Sequence, residues 1–325
     1  MAQFEIPDDL RDDTRAAWKR YVDLLAPFRP DLHRYCQGLT RNLWDAEDLV
    51  QETVIRGFGM LSSLHGNIDN PRGYLVRIAT NQWIDTLRRR SVEAIALQTE
   101  PPVPSPAPDT SQRAETRAAG ARLMERLAPQ ERAAVLMKDV FDMSLDDIAN
   151  ALGTTLGAVK SALHRGRARL DEPEAPPDSR RESPSIALVD RFVELLNGSD
   201  LPGLLDLMLD TASVEELGAL VEVGRGQFGR EGSFLWQSVN VHPELPAERR
   251  PKKWRNERAI FEGEPLVLSF GPVDDGERLM GVTRLEQSDG KISRLRAYIF
   301  TPETIRVVGK SLGYPVLTGL YRFPF

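Results

Sequence analysis

Residues suited to holding nucleic acid fall on two stretches of the chain. Along Pro71–Arg90, a rotation of about 100° per residue gathers Arg77, Asn81 and Arg88 on one face, with Leu75, Ile78, Ala79 and Trp83 on the broad apolar side. Guanidinium and carboxamide groups match base edges and phosphates, so this face suits a DNA strand. On the stretch beginning at Thr155, the outward set is Thr155, Lys160, Ser161, His164 and Arg165. Lys160, Arg165, Arg167 and Arg169 run there without an intervening acid. A third set, Asp45, Asp48, Glu52 and Arg56, recurs at steps of three and four. A mostly acidic face repels DNA and suits a basic protein partner instead. Each of these faces also fits an ordinary solvated helix. Trp83 and Phe58 have the ring faces that unpaired bases stack on, but aromatics at helical spacing equally suit a core.

These groups need helices to carry them, and the punctuation predicts where. Asp45 to Leu61 opens with Asp45 and Asp48 in capping-box spacing and continues with Val50, Val54, Phe58 and Leu61. Asn70-Pro71 is a cap followed by a first-turn proline, opening a helix through Arg90. Pro129 starts another, through Ala133 to Phe141. Ser144-Leu-Asp-Asp147 opens a short helix to Leu152, Gly153 ends it, and Thr154 or Thr155 caps a last helix with Val159, Ala162, Leu163 and Leu170 inside. Short helix, glycine turn and longer helix form a helix-turn-helix signature.

The 325 residues have room for more than one domain. Proline-rich stretches at 98–112 and 171–185 read as linkers and leave 1–97, 113–170 and 186–325 as folded parts. The last part changes character. It is helical from Asp190 to Leu209, then strand-like at Ser233–Val241, Ala259–Phe270, Arg278–Glu286 and Ile292–Phe300. Ser288-Asp-Gly290 is a hairpin signal and Thr301-Pro-Glu opens a terminal helix. The formal net charge of −6 argues against DNA only as a sum. By segment, 56–90 carries +4 and 120–170 carries +2, whereas 171–184 carries −3.

Apolar runs stay far below the length of a bilayer span, the acidic opening is unlike an export signal, and one cysteine, Cys36, excludes a disulfide framework and fits a reducing cytoplasm. His33 and His65 have no metal-ligand spacing. Neither a cofactor nor a metal is expected.

Together the motifs resemble the sigma factors of bacterial RNA polymerase, in the compact extracytoplasmic-function group of the sigma-70 family. D-A-E-D-L-V-Q-E-T (Asp45–Thr53) is similar to the clamp-binding segment of that family. Asn70–Arg90 is similar to its minus-ten helix, and Leu127–Val135 with Ser144–Leu170 to its fourth region. The resemblance covers roughly residues 15–170. It implies two all-α domains, a region 2 bundle and a region 4 helix-turn-helix, in a transcription initiation factor associated with the nucleoid. Asp45, Asp48, Gln51, Glu52 and Arg56 would dock on the clamp helices of core polymerase, with the flap as a further contact. Loop Ser62–Asn70 with Asn70, Arg77, Asn81, Arg88 and Arg89 would capture the minus-ten strand with a base turned out, which favours melting because only the unpaired form is bound. Thr155, Lys160, Ser161, His164, Arg165 and Arg167 would hold the minus-thirty-five element, and linker 98–112 would thread toward the active-site and RNA-exit channel. Many members have Arg where this chain has Ala162, which bears on the base-contact set.

The order of elements in 186–325 is similar to the cone-shaped α+β SnoaL-like (cystatin-like) domain that some of these sigma factors carry, implying control in cis through intramolecular contact with the sigma domains. Cone folds also host isomerases, for which His242, Asp274 and Asp275, with Trp236, Trp254 and Tyr298 as liners, are the candidates. Asp274-Asp275-Gly276 reads as a turn and His242 as a loop residue, so a non-enzymatic subunit is expected. Two other functions stay open: a helix-turn-helix regulator acting without polymerase, and small-molecule binding or isomerisation in the C-terminal part.

Overall fold

A computed structural model describes residues 7–61, 68, 70–96, 127–170, 183–239 and 254–317. The chain divides into two compact units, Met1–Ser179 and Arg180–Pro324.

The first unit is helical. It contains α1 (Asp8–Leu25), α2 (Arg29–Thr40), α3 (Leu43–Met60), α4 (Pro71–Ala96), α5 (Pro129–Val135), a π turn (Leu136–Val140), α6 (Leu145–Leu152) and α7 (Leu156–Leu170). Helix α3 starts earlier than expected, because Asn42 caps it: its side chain accepts from the Trp44 and Asp45 amides, each at 3.0 Å. Asp45 is therefore a first-turn acid, not the cap. Asn70 Oδ1 accepts from Gly73 N at 2.8 Å, and α4 runs past Arg90 to Ala96. The Ser144 hydroxyl accepts from Asp147 N at 3.0 Å, Gly153 closes α6 in the left-handed region at φ 59°, and Thr155 Oγ1 accepts from Ala158 N at 3.2 Å. The single helix expected from Pro129 to Phe141 instead loosens at Leu136 into the π turn.

Apolar faces bury Tyr21, Leu39, Val50, Val54, Leu75, Ile78 and Trp83. Phe58 joins Trp18 and Tyr21 of α1, with centroids 5.1 and 5.4 Å away. Polar pins cross the bundle: Tyr35 Oη to Thr80 Oγ1 at 2.7 Å joins α2 to α4, and Gln82 Nε2 donates to the Glu52 carbonyl at 3.2 Å. Such pairs fix register because a mispaired buried donor or acceptor costs about 1–3 kcal/mol. Inside the bundle the buried Glu47 meets Arg29, His33 Nε2 at 3.6 Å and Gln51 Nε2 at 2.8 Å.

The second unit is α+β: α8 (Ile186–Gly198), α9 (Leu201–Asp206), β1 (Met208–Glu216), β2 (Leu220–Val223), α10 (Arg225–Phe228), α11 (Phe234–Val239), β3 (Arg255–Phe261), β4 (Glu264–Val273), β5 (Gly276–Ser288), β6 (Lys291–Tyr298) and α12 (Pro302–Leu312). Among the described residues six strands form an open sheet in the order β2-β1-β6-β5-β4-β3, antiparallel except where β1 runs parallel to β6. Phe192, Leu195, Leu204 and Leu235 from the helices pack on Val214, Val267, Leu285 and Leu295 of one sheet face. Three expectations are corrected here. Ser233–Val241 is helical over Phe234–Val239, the helical stretch to Leu209 gives way to β1 at Met208, and Ala259–Phe270 is two strands turning at Glu262-Gly263, with φ of 50° and 81°.

Candidate polymerase and nucleic-acid interface

Helix α3 presents Glu52, Ile55, Arg56 and Met60 to solvent, while Asp45 and Asp48 are half-buried. Glu52 and Arg56 form an exposed ion pair at 3.8 Å. Gln51 turns inward to Glu47, so among the five residues expected to meet polymerase it already serves the bundle. Ile55, 56% exposed in the middle of this face, was not anticipated from sequence. The available signal was an aliphatic residue out of phase with the buried stripe Val50, Val54 and Gly57.

Helix α4 exposes Asn70, Arg77, Asn81 and Arg89. Arg77 and Asn81 lie one turn apart with Val76, Ile78, Ala79 and Thr80 buried between and behind them. Arg89 donates to Thr86 Oγ1 at 3.4 Å. Arg88 belongs to the helix, but its side chain lies outside the described residues, as does most of the loop Ser62–Asn70. Trp83 and Phe58 are packed in the bundle, so neither offers a ring to a base in this arrangement.

In the helix-turn-helix, α7 buries Val159, Ala162, Leu163 and Gly166 and exposes Thr155, Lys160, Ser161, His164, Arg165 and Arg167. Ala162, 6% exposed, faces inward, so the departure from Arg at that position falls on the packed side of the helix. At Gly166 a side-chain carbon would come within 2.9 Å of Val135 Cγ2, and this close approach seats α7 against α5. The six exposed residues are not equivalent. Arg165 Nε donates to Glu131 Oε1 at 2.8 Å, and the other oxygen of this buried carboxylate accepts from Ala128 N at 3.2 Å, tying α7 to the start of α5. Arg167 pairs with Asp139, which raises its pKa through a side-chain hydrogen bond and charge attraction. Thr155 caps the helix, and Lys160, Ser161 and His164 complete the exposed set.

Two models match the helical unit: sigma-70 region 2 over residues 24–92 and sigma-70 region 4 over residues 121–170. The RNA polymerase sigma-E factor of Streptomyces coelicolor is 34% identical over 144 residues, covering 43% of this chain and 78% of that protein. The chain belongs to the extracytoplasmic-function sigma-70 family. Its function is promoter-directed initiation of transcription. The similarity extends past region 4 in the sigma factor SigG of Mycobacterium tuberculosis, 29% identical over 320 residues and covering 89% of this chain and 83% of that protein. Among solved structures, the extracytoplasmic-function sigma factor SigJ of the same organism is 22% identical, covers 85% of this chain and 95% of that chain, and has a TM-score of 0.33.

In the C-terminal unit of this sigma factor, the described residues weighed for catalysis do not come together. Asp274 and Asp275 sit exposed in the β4–β5 turn, and His242 lies outside the described residues. Trp254 lies beside Gly281, whereas Tyr298 pairs across from Val282, whose side chain takes the opposite face by strand alternation. A different acid is perturbed: burial, then the neighbouring Glu222, pushes Glu216 up to about 7. No helix among the described residues is long and apolar enough to cross a membrane.

Proposed function

We propose that residues 1–97 bind core polymerase and the minus-ten element, that 113–170 bind the minus-thirty-five element, and that 186–325 form a non-enzymatic domain controlling both in cis. Linkers 98–112 and 171–185 join the parts. The polymerase face is Asp45, Asp48, Glu52 and Arg56 with Ile55 at its centre, and Gln51 supports it through Glu47. The minus-ten strand meets Asn70, Arg77, Asn81, Arg88 and Arg89, and the minus-thirty-five duplex meets Thr155, Lys160, Ser161 and His164, with Arg165 and Arg167 at the rim. The protein works in the cytoplasm on the nucleoid.

The observation that carries this reading is the α4 face. Arg77 and Asn81 stand exposed one turn apart on a helix that buries Leu75, Val76, Ile78, Ala79, Gln82 and Trp83, which sets a cation and an amide side by side on its open face. Because the helix backbone is held by the bundle, such a pair can meet a flipped-out, single-stranded base at the cost of ordering only the two side chains. The double variant Arg77→Ala, Asn81→Ala should bind core normally and fail to open duplex promoter, yet initiate on a pre-melted template. Equal loss on both templates removes the melting role. Control in cis is tested by transcription with core enzyme, comparing the full chain with one ending at Leu170. Unchanged output refutes it.

A further inference from the structure

A cavity of about 300 Å³ opens where the start of α5, the end of α6 and one flank of α7 meet. Its floor is apolar, with Val159 and Ala162 buried and Leu152 half-buried. Its rim is polar and exposed, made by Gln130 of α5, Thr154 of the turn, and Ser161 and Arg165 of α7. Ser161 and Arg165 also belong to the exposed set of α7, so the cavity is continuous with the face assigned above to the minus-thirty-five duplex.

Placement on the helix decides what enters. Ala158, Ala162 and Arg165 lie roughly a third of a turn round α7 from the centre of the face formed by Lys160, Ser161 and His164. The major groove is about 12 Å wide and an α-helix with its side chains about 10–12 Å across, so the flanks of a helix lying there meet the sugar–phosphate walls while its centre meets the base edges. The cavity has a chemistry for each part of such a wall. Deoxyribose presents C–H groups to the floor, and the free phosphate oxygens accept from the amide, the two hydroxyls and the guanidinium of the rim. Glu131 does not compete: its carboxylate is buried and accepts from Arg165 Nε at 2.8 Å and from Ala128 N at 3.2 Å, and the Nη groups of Arg165 are further donors on the same half-exposed side chain. The volume is ample for a sugar together with its phosphate.

We propose that this cavity seats one sugar–phosphate unit of the minus-thirty-five duplex, with Gln130 and Thr154 as phosphate-holding residues outside the reading helix. The proposal rests on the functional reading above, in which α7 meets that duplex. The seat positions rather than chooses: it fixes the angle and register at which α7 enters the groove and carries no sequence information of its own.

The test uses core polymerase with the full chain, and promoter duplexes in which each phosphate across the minus-thirty-five element is replaced in turn by an uncharged methylphosphonate. The double variant Gln130→Ala, Thr154→Ala changes two exposed side chains and should bind the unmodified duplex about tenfold more weakly, the scale of one charge-assisted hydrogen bond. At one phosphate, the methylphosphonate should weaken the unaltered complex about tenfold and the variant complex less than twofold, since the partner is already gone; other positions should affect both alike. Because the two side chains are uncharged, the slope of log K against log salt should not change. Ala158→Leu, at an exposed rim position, narrows the cavity and should reproduce the pattern. Equal binding by the double variant, a loss that varies with the base sequence of the element, or the absence of any phosphate at which variant and methylphosphonate overlap overturns the seat. Scrambling the minus-thirty-five element separates the two readings. If it leaves the unaltered complex unaffected, the assignment of α7 falls; if it weakens that complex while no phosphate distinguishes variant from parent, the seat alone falls.

Discussion

Ile55→Ala isolates the polymerase-docking face from the stability of the bundle. Ile55 lies mid-face on α3 between Glu52 and Arg56, 56% exposed, so truncation removes little from the core of the free chain. Alanine lacks three of the side-chain carbons, each contributing about 0.8 kcal/mol when fully buried. Scaled by the 56% that is open to a partner, the loss on docking is about 1.3 kcal/mol, or about tenfold in Kd. The effect should persist at 0.5 M salt, because the contact is apolar. Glu52→Ala on the same face should cost less and fade with salt, since an exposed charge contributes about 0–1 kcal/mol. The assay is a titration of labelled chain with core polymerase, read by anisotropy at two salt concentrations, with melting temperature as the control. An affinity within twofold of the unaltered chain at unchanged melting temperature refutes the assignment of this face.

Other substitutions separate roles that look alike in sequence. For promoter binding by the polymerase complex, Lys160→Ala should reduce the slope of log K against log salt by about 0.9, the value for one lost phosphate contact. Arg167→Ala should change it by less than half as much, because Asp139 already neutralises that cation; equal slopes from filter binding at graded salt refute the distinction. Glu131→Gln keeps an acceptor for Ala128 N but removes the charge that Arg165 grips, so selectivity for the minus-thirty-five element should fall while core affinity stays unchanged in a competition assay. In the C-terminal unit, Glu216 binds its proton more tightly folded than unfolded, with a pKa of about 7 against 4.5. The stability tied to that proton is complete below about pH 4.5 and is lost as pH rises through 7. Glu216→Gln should flatten the fall in melting temperature of this unit between pH 5 and 7; an unaltered pH profile by calorimetry refutes the assignment.

The helical unit was legible because its ends are written locally. Asn70-Pro71, Ser144 with Asp147, and Gly153 each act on the next turn of backbone, and the structure uses all of them. Partners set by tertiary packing were not legible. Nothing near Arg165 in sequence announces Glu131, 34 residues away, and nothing near Arg132 announces Leu39. The same reason explains the errors in the second unit. Met208 continues a helical spacing with Leu204 and Leu205, yet it belongs to a strand because residues near Ile292 pair with it. Phe234, Leu235 and Trp236 have strand-forming side chains, but the Ser233 hydroxyl accepts from Trp236 N at 3.3 Å and Leu235 and Val239 bury one helical turn apart. Ser288-Asp-Gly290 was readable as a turn, with Asp289 and Gly290 at φ of 51° and 75°. Glu262-Gly263 does the same with a residue less often found there.

The strand order β2-β1-β6-β5-β4-β3 also sets a schedule. β6, the last strand made, fills the position between β1 and β5, so the sheet stays split until Lys291–Tyr298 has left the ribosome. Regions 2 and 4 are complete more than 100 residues earlier, which at about 5–20 residues per second leaves several seconds or more in which the promoter-reading part exists without its finished C-terminal companion. Any chain ended between Ser185 and Lys291 would carry unpaired strand edges or a helix pair without its sheet and would tend to aggregate. A clean removal of that companion therefore has to be made within 171–185.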